Sequence, residues 1–329
     1  MSFSLLFALT LAIALVATAS MARILLPILR RKHMGQRILE IGPAWHRGKE
    51  GTPTMGGIAF LPAILLALGV SGILYSGHLP AFFWRPLLLT MLYALANATV
   101  GVIDDLTKFR REQNEGLSPG QKLILQITFA SAYIALMRLY GHIDSGIYIP
   151  FLNTVWDLGR LYYPFSILLC VGMVNCVNLA DGVDGLCSSA CAILGSFFAV
   201  AATLLAEGNA LIASTAMTGV GLGFLFFNRH PAKIFMGDTG SLFLGGMAVG
   251  CAFLLNNPLI LLVAGGVFVF EGISVILQVC WYKISKKRLF RMAPFHHHLE
   301  KCGMSETGIV LLFVLVAAIL GAISLLGIS

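Results

Sequence analysis

Ten stretches of predominantly apolar residues recur along the chain, at about 3–29, 55–75, 84–103, 123–140, 161–177, 187–205, 209–227, 239–255, 258–282 and 307–328. Each is close to the roughly 20 residues that a helix needs to cross the hydrocarbon core of a bilayer. The strict alternation of a membrane barrel is absent, and a helix satisfies its own backbone in lipid. The pattern predicts an all-α polytopic membrane protein of about ten transmembrane helices, organised as a single membrane domain over residues 1–329. The fifth and eighth spans are short and the ninth is long. Gly141–Leu161 carries β-branched and aromatic residues around Asn153-Thr154 and reads as a short external β-hairpin.

Composition agrees: 58% of the 329 residues are hydrophobic and only 11% charged, too few charges to cover a soluble surface. The seven cysteines form no C-x-x-C pair, and most lie in apolar stretches, so neither a disulfide nor a zinc site is expected. The apolar N-terminal run has no basic leader and is followed by Arg30-Arg31-Lys32. It reads as a span with its basic end inside rather than as a cleaved signal.

Charge sets the orientation. Eighteen of the 22 lysines and arginines fall in the loops after spans one, three, seven and nine; Arg37, Arg47, Lys108, Lys122 and Arg229 are examples. Only Arg85, Arg138 and Arg160 fall on the other side, and Arg23 lies in the first span. The positive-inside rule makes the basic side cytoplasmic and places both termini outside. The net charge of +7 would draw anionic lipid head groups and anionic substrates to that face, and no nucleic acid partner is expected.

The same face collects five of the fifteen acids at span ends. Asp104-Asp105 closes span three, Asp181 and Asp184 follow span five, and Asp238 opens span eight. Carboxylates at an interface are costly unless paired or used. Adjacent carboxylates suit a hard cation such as Mg²⁺, which takes oxygen ligands and substrate phosphates. Taken alone, Asp104-Asp105 also reads as a surface pair with Lys108 as counter-ion. Asn178-Leu-Ala-Asp181-Gly182-Val-Asp184-Gly185 reads as a ligand-approaching turn or as Asx turns capping the next helix. Asp238-Thr-Gly-Ser241 reads as a helix cap or as a phosphate site at a helix N-terminus. Glu112 and Glu115 look like solvated surface.

Three further segments carry polar chemistry. Gly48-Lys49-Glu50-Gly51-Thr52 lacks the spacing of a Walker A loop, yet Lys, Thr and glycines suit an anionic ligand. His296, His297 and His298 lie in the last basic loop; adjacent histidines cannot all face one metal from a regular helix, and hydrogen bonds to phosphates suit them better. Glu271 lies inside span nine with Gln278 seven residues on, roughly two turns away on one helix face, so the two mark a polar stripe leading to the basic side. Gly265, Gly266 and Gly272 permit a bend in that span that would open a gap between helices, and small positions near Gly272 are expected to face that groove.

Five motifs in order, Gly51-Thr-Pro-Thr-Met-Gly-Gly57, Asp104-Asp105, Asn178-Leu-Ala-Asp-Gly-Val-Asp-Gly185, Phe235-Met-Gly-Asp-Thr-Gly-Ser-Leu242 and Met292-Ala-Pro-Phe-His-His-His298, closely resemble the MraY family. These are the bacterial phospho-N-acetylmuramoyl-pentapeptide transferases, a branch of the polyprenyl-phosphate sugar-1-phosphate transferases. Ala180 and Val183 depart from the usual Thr and Leu and leave the acids intact. The resemblance implies transfer of phospho-MurNAc-pentapeptide from UDP-MurNAc-pentapeptide to undecaprenyl phosphate, with Mg²⁺, giving lipid I and UMP. It implies a homodimer in the bacterial inner (cytoplasmic) membrane, embedded in membrane lipid, with the site facing the cytoplasm. It implies Asp238 as Mg²⁺ ligand, with Asp104 and Asp105 as the essential pair near the lipid phosphate and as further potential ligands. Lys49, Thr52, Lys122, Asn178, Asp181, Gly182, Asp184, Asn228, Phe235, Gln278, His296, His297 and His298 would contact the nucleotide sugar and phosphates. A sister transferase using UDP-GlcNAc and, at greater distance, a lipid transporter are the alternative readings.

Overall fold

A computed structural model describes residues 2–32, 49, 51–76, 84–111 and 116–328. Arg37, Arg47, Gly48, Glu50, Glu112 and Glu115 lie outside the described residues. The chain forms α1 (Phe3–Arg31), α2 (Phe60–Ser76), α3 (Arg85–Arg111), α4 (Pro119–Leu139), α5 (Tyr162–Leu179) and α6 (Leu186–Leu204). These are followed by α7 (Gly208–Asn228), α8 (Gly237–Leu254), α9 (Ile260–Ala264), α10 (Gly266–Ser285), α11 (Phe295–Lys301) and α12 (Glu306–Leu325). Ten of these helices, all but α9 and α11, are long and apolar enough to cross a membrane. Between α4 and α5, β1 (Gly146–Ile149) pairs antiparallel with β2 (Thr154–Asp157), Gly146 opposite Asp157 and Ile149 opposite Thr154.

The helices end where the residues dictate. Ser118 caps α4 through a reciprocal capping box with Gln121, and Pro119 opens its first turn, where a missing N–H costs nothing. Ser305 caps α12 by accepting from the Gly308 N–H at 3.2 Å. The most enclosed helix is α8, which packs along α3 and also meets α5, α6 and α7. Small residues permit the close approach: Gly246 of α8 lies against Ala94 of α3, and Gly250 against Thr90. α1 and α2 flank α7, while α12 and α10 lie at the periphery.

Four expectations need correction. Span three does not close at the Asp pair: α3 runs to Arg111, two turns beyond, because a basic helical end can leave the lipid without unwinding. Span nine is not one helix but breaks at Gly265 into α9 and α10. The three histidines lie on a short helix, α11, rather than in a loop. Gly272 faces no groove: it is buried, and a Cβ there would strike the Cys176 Sγ of α5. The described apolar cavity beside the break, about 450 Å³, is lined instead by Gly266, Val267, Phe270, Phe295 and residues of α12 such as Phe313.

Candidate active site

The C-terminal turns of α3 meet the N-terminus of α8 at backbone contact. Gly101 of α3 rests directly on the Asp238–Thr239 peptide. That contact places Asp104 and Asp105, one turn further along α3, beside Asp238. One oxygen from each of the three carboxylates lies within 4.8 Å of the others. Asp104 and Asp105 are buried, 0% and 4% exposed, which overturns the surface-pair alternative.

The three acids have different surroundings. Asp105 accepts from the backbone N–H of Asp238 at 3.2 Å, the N–H of Thr239 at 3.0 Å and the Thr239 hydroxyl at 2.7 Å. The first turn of α8 is therefore capped by a carboxylate from α3, and those N–H groups are not free for a phosphate as the sequence suggested. Asp104 accepts from the Leu117 N–H at 2.7 Å and pairs with Lys108 at 2.7 Å and Lys122 at 3.0 Å. Asp238, the most accessible of the three, pairs with Lys122 at 2.5 Å and Lys108 at 3.3 Å. Its other oxygen accepts from the Asn178 amide at 3.1 Å, and Asn178 also donates to Ser241 at 2.8 Å. Asn178, read as a base or sugar contact, here orients Asp238.

The turn between α5 and α6 closes one side. Neither Asp181 nor Asp184 caps α6, whose N-cap is Gly185 with no side-chain bond. Asp184 is buried and accepts from Lys49 Nζ at 2.8 Å and the Ala232 N–H at 2.9 Å, with His230 at 3.1 Å. Asp181 is half-buried; its backbone N–H donates to Asn178 O at 3.2 Å, and its carboxyl has no hydrogen-bond partner among the described residues. Burial, with Asp238, Asp105 and Asp184 nearby, pushes its carboxyl up to about 8. Lys49 also pairs with Glu306 at 2.6 Å, and Glu306 accepts from the Asp184 N–H at 3.3 Å.

The segment after Thr52 lies alongside the lead-in to α8. Phe235 donates to Pro53 O at 2.8 Å, Gly56 to Phe235 O at 2.8 Å and Gly57 to Met236 O at 2.9 Å. The Phe235 ring is half-buried. Asn228 accepts from Ser188 at 2.8 Å and donates to Ile234 O at 3.1 Å, holding the chain before Phe235. Thr52 is half-buried, and its backbone N–H donates to Lys49 O.

The polar stripe on span nine holds the segment after α10 by its backbone. Gln278 accepts from Leu289 and Phe290 N–H at 3.1 and 2.8 Å and donates to Phe290 O at 3.3 Å. Glu271 accepts from Phe295 and His296 N–H at 2.7 and 3.1 Å. The histidines do not converge. His296 is fully buried against Gly182, His297 pairs with Glu300 at 2.5 Å, and His298 accepts from the Arg291 N–H at 3.1 Å.

Sequence reasoning missed Glu306 and His230 and saw Lys108 only as a counter-ion. The spacing of Lys108, four residues after Asp104 on one helix, was a usable signal. Nothing local marks Glu306, 122 residues from Asp184.

A trio of carboxylates, two buried and one half-buried, with two lysines, on a bundle of membrane-length helices, defines a membrane-embedded transferase of phosphorylated sugars when set beside known proteins. Residues 87–256 match the family described as glycosyl transferase family 4. Residues 49–61 match the phospho-N-acetylmuramoyl-pentapeptide-transferase signature 1. The chain is 43% identical over 318 residues to the phospho-N-acetylmuramoyl-pentapeptide-transferase of Shouchella clausii, covering 96% of this chain and 95% of that one. The enzyme of the same name from Bacillus velezensis is 44% identical over 290 residues, 88% of each chain. That of Clostridioides difficile is 38% identical over 322 residues, 97% of each chain. The chain belongs to the phospho-N-acetylmuramoyl-pentapeptide-transferase family, and is a multi-pass membrane protein.

Proposed function

We propose that the chain transfers phospho-MurNAc-pentapeptide from UDP-MurNAc-pentapeptide to undecaprenyl phosphate, releasing UMP and forming lipid I for peptidoglycan synthesis. The observation that carries this reading is the trio Asp104, Asp105 and Asp238, assembled by α3 and α8 in a chain of this family. The basic side is cytoplasmic by the positive-inside rule, which puts the site at the inner face of the bacterial cytoplasmic membrane and both termini outside. We propose one membrane domain per chain, working as a homodimer.

The donor set fits Mg²⁺. It consists of carboxylate oxygens without sulfur or imidazole, and Asp238 is the member open enough to reach a ligand. When bound, Mg²⁺ would supply the positive charge that lets two phosphate groups meet. Asp238 would be the principal ligand, with Asp104 the next available. Asp105 is committed to capping α8 and keeps the first turn rigid.

A phosphate monoester has a second pKa of about 6, so the acceptor is largely a dianion at neutral pH. It needs little help losing a proton. Its oxygen attacks the phosphorus bearing the sugar, the bond to the bridging oxygen breaks, and UMP leaves with that oxygen. Lys122 and Lys108 stand 22% and 33% exposed at the site and offer their ammonium groups to the crowded phosphates. Asp181, whose carboxyl is pushed up by burial and by Asp238, Asp105 and Asp184, borders the place where the sugar phosphate would meet the trio. Lys49, Asn228, Phe235, Gly182 and the histidine helix frame the nucleotide sugar, with Thr52 and Gln278 at the margins.

The polyprenyl chain cannot cross the aqueous face, so it enters from the membrane beside span nine. The apolar cavity at the α9–α10 break takes the place first expected near Gly272. Purified protein offered UDP-MurNAc-pentapeptide and UDP-GlcNAc together with undecaprenyl phosphate tests the reading. Lipid I with stoichiometric UMP supports it, and a GlcNAc-bearing lipid as main product would assign the sister reaction.

A further inference from the structure

Glu271 sits within α10, whose adjacent positions Phe270 and Ile273 are exposed on the outer apolar face, yet its own side chain is fully buried. A carboxylate at such depth needs partners. It finds them in the N–H groups of Phe295 and His296 of α11 at 2.7 and 3.1 Å, and its Oε2 stands 3.3 Å from His296 Nδ1 without a hydrogen bond. His296 is itself fully buried, and neither ring nitrogen makes a hydrogen bond among the described residues. Its Nε2 lies against the Cα of Gly182: a Cβ there would strike Nε2 and stand 2.9 Å from Cε1. Gly182 directly follows Asp181, the one carboxyl of the site turn without a hydrogen-bond partner among the described residues. A continuous path of contacts therefore runs from the lipid-facing helix to the turn of the site: Glu271, His296, Gly182, Asp181.

We propose that Glu271 is a positioning residue for the transfer. It fixes the first turn of α11 and with it the place of the His296 ring, and the ring in turn supports the Asp181-Gly182 turn from behind. What is positioned is the Asp181-Gly182 turn, offered to a phosphate or sugar oxygen of the nucleotide sugar. This rests on the reading of that turn as part of the nucleotide-sugar site.

The test uses the full-length protein in detergent, as wild type, Glu271→Gln, His296→Asn and the double variant, with Glu271→Asp as substitute where Glu271→Gln does not fold. Loss of a charge-assisted hydrogen-bond network should raise the KM for UDP-MurNAc-pentapeptide about tenfold in Glu271→Gln. The KM for undecaprenyl phosphate should stay within twofold of wild type. If Glu271 acts through His296, the double variant is no worse than the poorer single variant. Hydrogen exchange of the segment 292–300 should speed up in Glu271→Gln and not in His296→Asn. Multiplicative losses in the double variant, or a lower melting temperature with both KM values unchanged, would overturn the proposal. A wild type that does not use UDP-MurNAc-pentapeptide would sink the functional reading instead, and the exchange measurement would still decide whether Glu271 holds α11.

Discussion

Gly101→Ala is the smallest change that should separate the two halves of the site. An added Cβ would stand 2.5 Å from Thr239 N and closer still to Asp238 O. Ordinary contacts of carbon with such atoms are about 3.3–3.6 Å, so α3 and α8 must part by roughly 1 Å. Backbone faces backbone, and no side chain can swing away. The bonds from Asp105 to Asp238 N, Thr239 N and the Thr239 hydroxyl, now 3.2, 3.0 and 2.7 Å, would stretch to or beyond the limit of a hydrogen bond. Overpacking costs about 1–3 kcal/mol and each charge-assisted bond lost about 1.5–3 kcal/mol, though the terms overlap. A misplacement of about 1 Å at reacting groups costs on the order of 100-fold in rate. The expected outcome is kcat down about 100-fold with a lowered melting temperature, measured by fluorescent-substrate turnover and thermal unfolding in detergent. Gly69→Ala, on an exposed position of α2 where a Cβ meets nothing within 4 Å, is the matched control and should leave both unchanged. Turnover of Gly101→Ala within about threefold of wild type would refute the account of how the trio is assembled.

Three more outcomes follow from the same geometry. Phe235→Ala should weaken UMP binding far more than Phe235→Trp, because the ring is proposed to stack on the base; equal losses by calorimetry would mean simple packing. Glu306→Gln should raise the KM for the nucleotide sugar about three- to tenfold with little change in kcat, since Lys49 is held between Glu306 and Asp184 at 2.6 and 2.8 Å; an unchanged KM would remove Glu306 from the site. Asp181 has its carboxyl raised to about 8, whereas the unfolded chain ionises near 4, so in metal-free protein the stability it contributes at low pH is lost as pH rises through that window and levels off above it. Melting temperatures of wild type should therefore fall relative to Asp181→Asn between about pH 5 and pH 8, and a constant difference would contradict the raised value.

The spans and the acids were legible because each is an anomaly against its background. A run of about twenty apolar residues suits a lipid bilayer and little else, and five carboxylates at the ends of lipid-length helices demand partners. The hairpin was legible from its β-branched and aromatic residues. The continuation of α3 to Arg111 was not, since hydropathy falls when a helix leaves lipid even though its backbone continues. The division of labour between Asp104 and Asp105 was equally hidden. Adjacent residues point about 100° apart on a helix, and only the packed α8 decides that Asp105 caps while Asp104 meets two lysines. Glu306 reads locally as an ordinary first-turn acid of α12, stabilised by the helix dipole. The expectation for Gly272 failed because glycine signals close approach without naming the neighbour, and here the neighbour is Cys176 rather than a lipid.

If Asp238, with Asp104 as the next ligand, holds the cation of the proposed transfer, Mn²⁺, a spectroscopic substitute for Mg²⁺, reports on it directly. Electron paramagnetic resonance titration of the full-length protein with bound UDP-MurNAc-pentapeptide should show one tightly held Mn²⁺ per chain in wild type. Asp238→Asn should bind at least about tenfold more weakly while nucleotide binding persists, because it loses a charged ligand and keeps the fold. Wild-type Mn²⁺ affinity in Asp238→Asn would contradict this assignment of the metal centre.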